Sequence, residues 1–362
     1  MKVDNKHYHS IWREASGDVS FIDQAQLPHS FEIKTLSTLA QAATAIEQMN
    51  VRGAPCIGAT AAFGVAFAMQ EDPSDPNLGA AIDRLKQTRP TAVNLFWALE
   101  QMRTALESIA PAARAEAAFK QAEVICMDDI KTCKRIGEHG LSLIREVAEK
   151  KDRVNVLTHC NAGALACVDW GTALAPLYLA HEAGIDIHVW VDETRPRNQG
   201  AFLTAWELGA AGIPHTVITD NAGGHLMQQG LVDLCIVGAD RTTRGGDVAN
   251  KIGTYLKALA AMDNHVPFYV AFPFSTIDWD IRDSTQIIIE EREASEVTHV
   301  RGLTARGQLE TVCITAPDSP AANYGFDITP ARLITGLITE RGITHASETG
   351  LLKLYPERAH AN

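Results

Sequence analysis

The chain has 362 residues, of which 46% are hydrophobic and 21% charged, and its formal net charge is −12. Such a composition excludes a mainly disordered chain, and the length corresponds to roughly two domains of about 150 residues each. The acidic charge argues against a nucleic-acid binder, and no apolar run approaches the ~20 residues of a membrane helix. The polar segment 1–12 has no signal-peptide core, so we expect a cytoplasmic protein.

The first part of the chain is predicted to be mainly helical. A short extended stretch covers residues 19–33, after which apolar residues recur at helical spacing. The predicted helices are 35–50, 57–70, 91–109 and 111–151, with Pro90-Thr91 as a plausible cap of the third.

The second part alternates short β-branched runs with helical stretches. The predicted strands are 153–158, 185–191, 215–219, 234–237 and 267–272, and helices are predicted to start near Gly163, Gln199, Gly223 and Asn250. Alternation of this kind predicts a parallel, doubly wound α/β sheet.

A polar, glycine-bearing or proline-bearing cluster follows every predicted strand of this sheet. The five clusters are 158–163, 192–200, 219–224, 238–241 and 273–278. Because ligands bind at the carboxyl ends of the strands in open α/β sheets, we predict a site at that edge.

Sequence signatures of common cofactors and metals are absent. The chain contains no G-x-G-x-x-G after a strand, no phosphate-binding G-x-x-x-x-G-K-[ST], no G-x-S-x-G and no HExxH. The seven cysteines form no C-x-x-C pair and are interpreted as reduced, mostly buried thiols. His159 stands alone in the sequence, so we predict neither a metal site nor a cofactor.

Three segments place a cation beside a predicted helix start. In 51–55, Arg52 precedes Gly53, which permits close backbone approach, and the following helix offers free N–H groups. Arg89 before Pro90-Thr91 and Lys251 in 250–253 repeat the pattern. These segments indicate a ligand that carries at least one phosphate, although a helix–helix turn with a solvated arginine is the alternative for Arg52.

Cys160 and Asp240 are the candidates for proton chemistry. Each follows a predicted strand directly and precedes a glycine-bearing segment. Helix N–H groups can activate a thiol at such a position, and apolar surroundings would raise the pKa of Asp240 so that it could act as an acid. The alternatives are a buried apolar cysteine and an aspartate that orients Arg241 or caps a helix.

The sequence resembles the methylthioribose-1-phosphate isomerases and, more distantly, the regulatory subunits of translation initiation factor 2B. The resemblance covers nearly the whole chain. The segments that carry it are FIDQ (21–24), VRGAP (51–55), THCNAG (158–163), DETRP (192–196), GADR (238–241), DVANKIGTY (247–255), STID (275–278) and FDITP (326–330).

The resemblance implies an aldose–ketose isomerase that acts without a cofactor on a ribose blocked by a 1-phosphate. It implies a homodimer, with an N-terminal helical domain at 1–130 and a Rossmann-like catalytic domain at 131–362. It assigns catalysis to Cys160 and Asp240. The substrate contacts that it implies are Arg52, Gly53, Ala54, Arg89, Gln199, Asn250 and Lys251.

We hypothesise that Asp240 protonates the ring oxygen while Cys160 handles the hydrogen shift from C2. The sequence leaves open an enediol-type proton transfer and a direct hydride shift.

Some positions depart from the family pattern, such as Ala222-Gly223-Gly224 in place of the usual Met-Ala-Ala. The substrate could therefore be 5-deoxyribose 1-phosphate or another 5-modified sugar, whereas ribose 1,5-bisphosphate lacks a second cationic cluster. A non-catalytic subunit of the initiation factor 2B type is the alternative of a different class.

Overall fold

The computed structural model describes residues 1–89 and 92–359. The chain begins with five short strands and five helices. They are β1 (Lys2–Val3), β2 (Lys6–His7), β3 (Ile11–Arg13), β4 (Val19–Ile22), β5 (Ile33–Leu36), α1 (Leu39–Glu47), α2 (Ala54–Glu71), α3 (Asp75–Lys86), α4 (Val93–Leu106) and α5 (Pro111–Ala148). The strands β3, β4 and β5 form an antiparallel sheet, and β1 pairs with β2.

Helix α2 is the centre of this helical part. Every residue from Cys56 to Met69 is buried, which is the pattern of a helix surrounded by others rather than of an amphipathic surface helix. It packs against α1, α3, α4 and α5. The first predicted helix begins later than expected, at Leu39, because 33–36 pairs with β4 and Thr38 caps the helix by accepting from the Gln41 N–H (3.1 Å).

The remaining elements build two further sheets, a hairpin and their covering helices. They are β6 (Val154–Thr158), α6 (Ala175–Glu182), β7 (Ile187–Asp192), α7 (Ala205–Ala210), β8 (His215–Ile218), α8 (Ala222–Gln228), β9 (Leu234–Val237), β10 (Arg241–Thr243), β11 (Val248–Lys251), α9 (Thr254–Asp263), β12 (Phe268–Ala271), β13 (Ile277–Asp278), α10 (Ser295–Thr298), β14 (His299–Leu303), β15 (Leu309–Cys313), β16 (Phe326–Thr329), β17 (Gly336–Thr339), β18 (Gly342–Thr344) and α11 (Glu348–Leu354).

The main sheet has the strand order β18-β17-β12-β9-β6-β7-β8. Within it β6, β7, β8, β9, β12 and β17 are parallel, and β18 pairs antiparallel at one edge. The predicted α/β class, a helical part followed by a parallel-rich sheet, is confirmed. The chain runs outward from β6 to β7 and β8 on one side and continues at β9 on the other. The crevice between β6 and β9 is therefore the switch point at which such sheets bind ligands.

A second sheet of four strands, β13-β10-β11-β16, lies next to that crevice. The expected helix start near Asn250 is wrong, because 248–251 pairs with β16 as β11 and the helix α9 begins at Thr254. The expected helix near Gly163 is reduced to a single 3₁₀ turn, Ala164–Ala166, which packs against α2.

Helix α5 runs without a break from the first core to the second. Its residues up to Cys126 belong to the core around α2, whereas Ile136, Leu141 and Ile144 belong to the core under the main sheet. Within the described ranges, each helix is too short or too polar to traverse a bilayer.

Candidate active site

A cavity lies between the helical part and the carboxyl ends of β6 and β9. All nine residues that the sequence singles out as catalytic or substrate-binding line it. They are Arg52, Gly53, Ala54, Arg89, Cys160, Gln199, Asp240, Asn250 and Lys251. Four of the five polar clusters after the main-sheet strands reach this cavity, whereas the segment 219–224 after β8 does not line it.

Cys160 is the second residue after β6 and is held from both sides. Its backbone N–H donates to Thr194 Oγ1 (2.8 Å), and its carbonyl accepts from Thr204 Oγ1 (2.7 Å). The backbone at Cys160 is left-handed, with φ of 64°. The thiol is buried and donates to Gln199 Oε1 (3.4 Å). Loop contacts thus fix the thiol against the cavity and bring Gln199 beside it.

Asp240 follows β9, the strand that pairs with β6, so its carboxyl shares the cavity with Cys160. Burial raises the pKa of Asp240, and the nearby Lys251 and Arg52 oppose this rise. Burial also raises the pKa of the Cys160 thiol, against the influence of the same two cations. The cavity therefore holds a carboxyl group and a thiol whose protonated forms are favoured by burial.

Lys251 ends β11 and stands opposite Phe326 in β16, whose ring lies 4.7 Å from Nζ. Burial lowers the pKa of Lys251, whereas Cys160 and Asp240 raise it. Asn250, one residue earlier, donates through Nδ2 to Thr254 Oγ1 (3.0 Å) at the start of α9. The second sheet thus delivers a cation and an amide to the same cavity.

Arg52 lies between α1 and α2 and reaches across to the loop after β6. Its guanidinium donates to Asn161 Oδ1 and to the Asn161 carbonyl (2.9 Å for the latter). Asn161 in turn donates to Glu207 Oε1 (2.8 Å), which lies on α7. The buried Nε of Arg52 has no hydrogen-bond partner among the described residues.

Gly53 lies at a tight contact between the two parts of the molecule. Its φ is 88°, and a Cβ at this position would lie 2.3 Å from the Ala166 Cα. Only glycine fits both the backbone conformation and the contact. Ala54 begins α2 there and lines the cavity, so its unpaired backbone N–H favours an anion, whereas Pro55 in the same turn has no N–H.

Arg89 approaches the cavity from the end of α3. Burial lowers the pKa of its guanidinium, and Glu290 opposes this with a carboxylate oxygen 3.7 Å from Nη2. Its Nε and Nη1 are buried without a hydrogen-bond partner among the described residues. The predicted cap at Pro90-Thr91 lies outside the described residues.

Several residues that line the cavity or contact its side chains were not predicted as site residues from the sequence. Met49, Phe326 and the segment 287–289 form apolar parts of the lining, and Glu290 pairs with Arg89. Their sequence neighbourhoods carry no polar cluster after a predicted strand. Asn161 lies within the quoted segment 158–163, and its contact with Arg52 depends on tertiary structure.

His159 lies behind Cys160 and is not isolated in space. Its Nδ1 contacts Asp192 Oδ2 (2.7 Å), and its Nε2 contacts the Ile252 carbonyl oxygen (2.8 Å). A carbonyl oxygen only accepts, so Nε2 carries a proton. Lys257 Nζ lies 3.1 Å from the same Asp192 oxygen. These atoms form a buried hydrogen-bonded network behind the loop that carries Cys160.

The arrangement suits proton transfer on a bound anion. Arg52, Arg89 and Lys251 bring cationic side chains to a recess that also receives the N-terminus of α2. Cys160 and Asp240 face the same recess from adjacent strands, which places two proton-carrying groups against one ligand. Low solvent access strengthens both the charge contacts and the hydrogen bonds.

Comparison of the sequence with known proteins identifies relatives over its whole length. A sequence model of the Initiation factor 2 subunit family matches residues 31–346. A methylthioribose-1-phosphate isomerase of Methylorubrum extorquens is 60% identical over 364 residues, covering 100% of each chain. The protein of the same name from Rhodospirillum rubrum is 60% identical over 370 residues, covering 100% of this chain and 95% of the other.

Solved structures of similar fold point the same way. A 5-methylthioribose 1-phosphate isomerase from Pyrococcus horikoshii OT3 matches with a TM-score of 0.83 at 38% identity, over 97% of both chains. A protein described as subunit delta of translation initiation factor eIF-2B from A. fulgidus matches with a TM-score of 0.80 at 38% identity, over 97% of this chain and 100% of that one.

Proposed function

The chain belongs to the Initiation factor 2 subunit family, and we propose that within it the protein is a methylthioribose-1-phosphate isomerase. It converts 5-methylthioribose 1-phosphate to 5-methylthioribulose 1-phosphate, an aldose–ketose isomerisation of methionine salvage. The observation that carries this proposal is the placement of Cys160 and Asp240 at the ends of paired strands, facing Arg52, Arg89 and Lys251. The full-length relatives at 60% identity support the same substrate.

The chemistry requires two proton carriers because the phosphate blocks the anomeric oxygen. During the reaction the hydrogen on C2 moves to C1, and the bond from C1 to the ring oxygen breaks. The ring oxygen gains a proton, and the C2 hydroxyl loses its proton to become the ketone. The product is an open-chain ketose 1-phosphate with the same atoms as the substrate.

Asp240 serves as the acid at the ring oxygen. Burial raises the pKa of Asp240, which favours the protonated carboxyl group that can donate as the ring opens. The resulting carboxylate is stabilised by Lys251, Arg52 and Arg89, the three cations that oppose the rise. These charges keep the proton transferable rather than locked on the carboxyl group.

Cys160 handles the hydrogen at C2. In an enediol-type route its thiolate removes that hydrogen as a proton and returns it to C1. Burial raises the pKa of the thiol, whereas Arg52 and Lys251 favour the thiolate. In a hydride route the hydrogen passes directly from C2 to C1, and Cys160 only stabilises the shifting charge. Substrate deuterated at C2 separates the routes, because complete retention of deuterium in product formed in ordinary water contradicts a solvent-exchanging enediol.

The phosphate is held by the helical side of the cavity. Arg52 and Arg89 each present buried N–H groups without a partner among the described residues, and the first turn of α2 adds backbone N–H groups at Ala54. Gln199 and Asn250 contribute amide contacts to the sugar or the phosphate. Arginine forks match phosphate oxygens in pairs, so this side orients the substrate as well as binding it.

A substrate panel tests the proposal. The protein is incubated with 5-methylthioribose 1-phosphate, 5-deoxyribose 1-phosphate and ribose 1,5-bisphosphate, and ketose formation is measured. We expect kcat/KM for the methylthio sugar to exceed that for the deoxy sugar at least about tenfold, because a buried thioether methyl group contributes that much discrimination. A higher value for the deoxy sugar would instead assign that substrate.

The second candidate function is a non-catalytic subunit of the initiation factor 2B type. The structural match to the A. fulgidus protein favours it. Subunits of that type need no thiol and carboxyl pair at the strand ends, whereas in this chain the buried Cys160 and the half-buried Asp240 both line the cavity. Absence of turnover across the whole panel would favour the subunit.

We further propose a cytoplasmic homodimer with its domain division near residue 130. The family resemblance and the exposed apolar Leu256 and Met262 on α9 support a dimer. The change of core along α5 between Cys126 and Ile136 supports domains at 1–130 and 131–362. Seven free cysteines agree with a reducing compartment. Light scattering that gives the monomer mass at micromolar concentration would contradict the dimer.

A further inference from the structure

A second cluster of chemically active side chains lies on the far side of the loop that follows Cys160. His7 ends β2, and His9 comes two residues later in an extended segment, so both side chains fall on one face. Both rings face Asp169. His7 Nε2 lies 2.7 Å from Asp169 Oδ2, and His9 Nδ1 lies 3.4 Å from the same oxygen. The three ligand atoms all lie within 4.8 Å of one another.

The carboxylate of this cluster is held in a fixed orientation. Its Oδ1 accepts from the Trp170 N–H (2.8 Å) and from the Met1 amine (2.5 Å), which leaves Oδ2 turned toward the two rings. The Asp169 side chain is 4% exposed, whereas His7 and His9 are 52% and 36% exposed. The buried anion thus has two imidazoles on its solvent side, where an ion can enter and retain water ligands.

The hydrogen bonds within the cluster leave one group unsatisfied. His7 bonds well to Oδ2, but the buried Nδ1 of His9 has no hydrogen-bond partner among the described residues. A cation shared by the two ring nitrogens and Oδ2 would satisfy all three ligand atoms.

We propose that His7, His9 and Asp169 form a binding site for a divalent transition metal such as Zn²⁺. Two imidazole nitrogens and one carboxylate oxygen are the ligand set that such ions accept, and water completes the coordination. The sequence analysis predicts no metal site because Asp169 is distant from the two histidines along the chain. The metal has a structural role there and takes no part in the isomerisation.

The site joins the N-terminal hairpin to the wall of the cavity. Asp169 belongs to the same loop as Cys167 and Thr172, which line the cavity, and Ser10 donates to the Ala164 carbonyl (2.7 Å) next to it. Metal binding therefore stabilises the folded arrangement of this loop by mass action, in proportion to the affinity.

The test uses untagged protein, since a polyhistidine tag would mask the site. Chelator-treated protein is titrated with Zn²⁺ by calorimetry and with Co²⁺ by visible absorption, and thermal unfolding is followed with and without Zn²⁺. We expect one ion per chain and a rise in Tm. H7Q and H9Q should each weaken binding at least tenfold and abolish the Tm rise, whereas H225Q, at a histidine of α8 outside the cluster, should match the wild type.

Binding that persists unchanged in both H7Q and H9Q would overturn the proposal, as would the absence of any binding to the wild type. Absence of binding to the wild type would show that His7 and His9 only form ion pairs with Asp169. Asp169 itself is left unchanged, since its bond to the Trp170 N–H organises the loop.

Discussion

The two walls of the cavity are built in different ways. The helical wall presents Arg52, Arg89 and the first turn of α2, and buried guanidinium N–H groups there have no partner among the described residues. The sheet wall holds Cys160 through bonds to both its backbone N–H and its carbonyl. One wall keeps donors free for an anion, while the other fixes reacting groups in place.

This difference predicts that the helical wall mainly determines substrate binding and that the sheet wall mainly determines the rate of the chemical step. Free cationic donors act on the ground state and the transition state alike, so damage to the helical wall should appear in KM. Groups that move protons act in the transition state, so damage to the sheet wall should appear in kcat. The contact of Gly53 with Ala166 joins the walls and should affect both.

Removing a proton carrier from the sheet wall should have the largest effect. We expect Cys160→Ser and Asp240→Asn each to lower kcat at least ~100-fold with little change in KM. Because burial raises the pKa of Asp240, its acid form is lost as pH rises, and the wild-type rate should fall on the alkaline side. Steady-state kinetics measured over a range of pH values give both the loss of kcat in the variants and the alkaline fall in the wild-type rate. Near-normal turnover in either variant, with Tm unchanged, would remove that residue from the mechanism.

The junction between the walls offers the next test. Gly53→Ala places a Cβ 2.3 Å from the Ala166 Cα at a φ of 88°, so the walls must move apart. We expect a loss of about 1–3 kcal/mol of unfolding free energy, measured by urea denaturation, together with a higher KM. Gly79→Ala is the matched control, because a Cβ there meets no atom within 4 Å. Equal behaviour of the two variants would contradict a tight junction.

A smaller and more selective change is expected on the helical wall. Arg89→Lys keeps the charge but removes the fork that pairs with phosphate oxygens, so KM should rise about tenfold while kcat changes little. The inhibition constant of inorganic phosphate should rise in parallel. Arg103→Lys, at a partly exposed arginine of α4, serves as control. A fall in kcat with unchanged KM would contradict the assignment of substrate binding to the helical wall and of chemistry to the sheet wall.

The smallest effect is expected at Asp129 on α5, which accepts from the Val168 N–H (2.7 Å) behind the sheet wall. Burial raises the pKa of Asp129 from 3.8 to about 7. The folded state thus favours the protonated form of Asp129. Its contribution to the free energy of unfolding is complete below pH 3.8 and is lost as the pH rises through about 7. Asp129→Asn should therefore add roughly 1 kcal/mol of stability at about pH 8 and almost none at about pH 4. Asp128→Asn, at an exposed carboxyl group one residue earlier on α5, serves as the control.

The parallel strands and the edge that carries the site could be predicted from the sequence. Runs such as 234–237 are apolar throughout, which is characteristic of strands buried on both faces. Cys160 and Asp240 were identifiable because each lies two or three residues beyond the end of a predicted strand. Parallel pairing then brings the strand ends together whatever the details of the loops.

Other features depend on contacts that no local pattern encodes. The sequence predicts a helix start near Asn250, where the structure has the strand β11. The local pattern does not reveal this strand, because its partner β16 is distant along the chain. Glu290 reaches Arg89 from an irregular segment without periodicity, and Asn161 receives Arg52 only once the two parts of the chain pack. The cap at Pro90-Thr91 lies outside the described residues and stays a prediction.

The left-handed backbone of Cys160 has a consequence for the evolution of the site. A residue with a Cβ at a φ of 64° costs the fold free energy that glycine would not. We therefore expect the thiol to be retained at this position for function, at a cost in local stability. In a descendant freed from catalysis, glycine here would make the protein more stable, and the C160G variant should melt above C160S while remaining inactive.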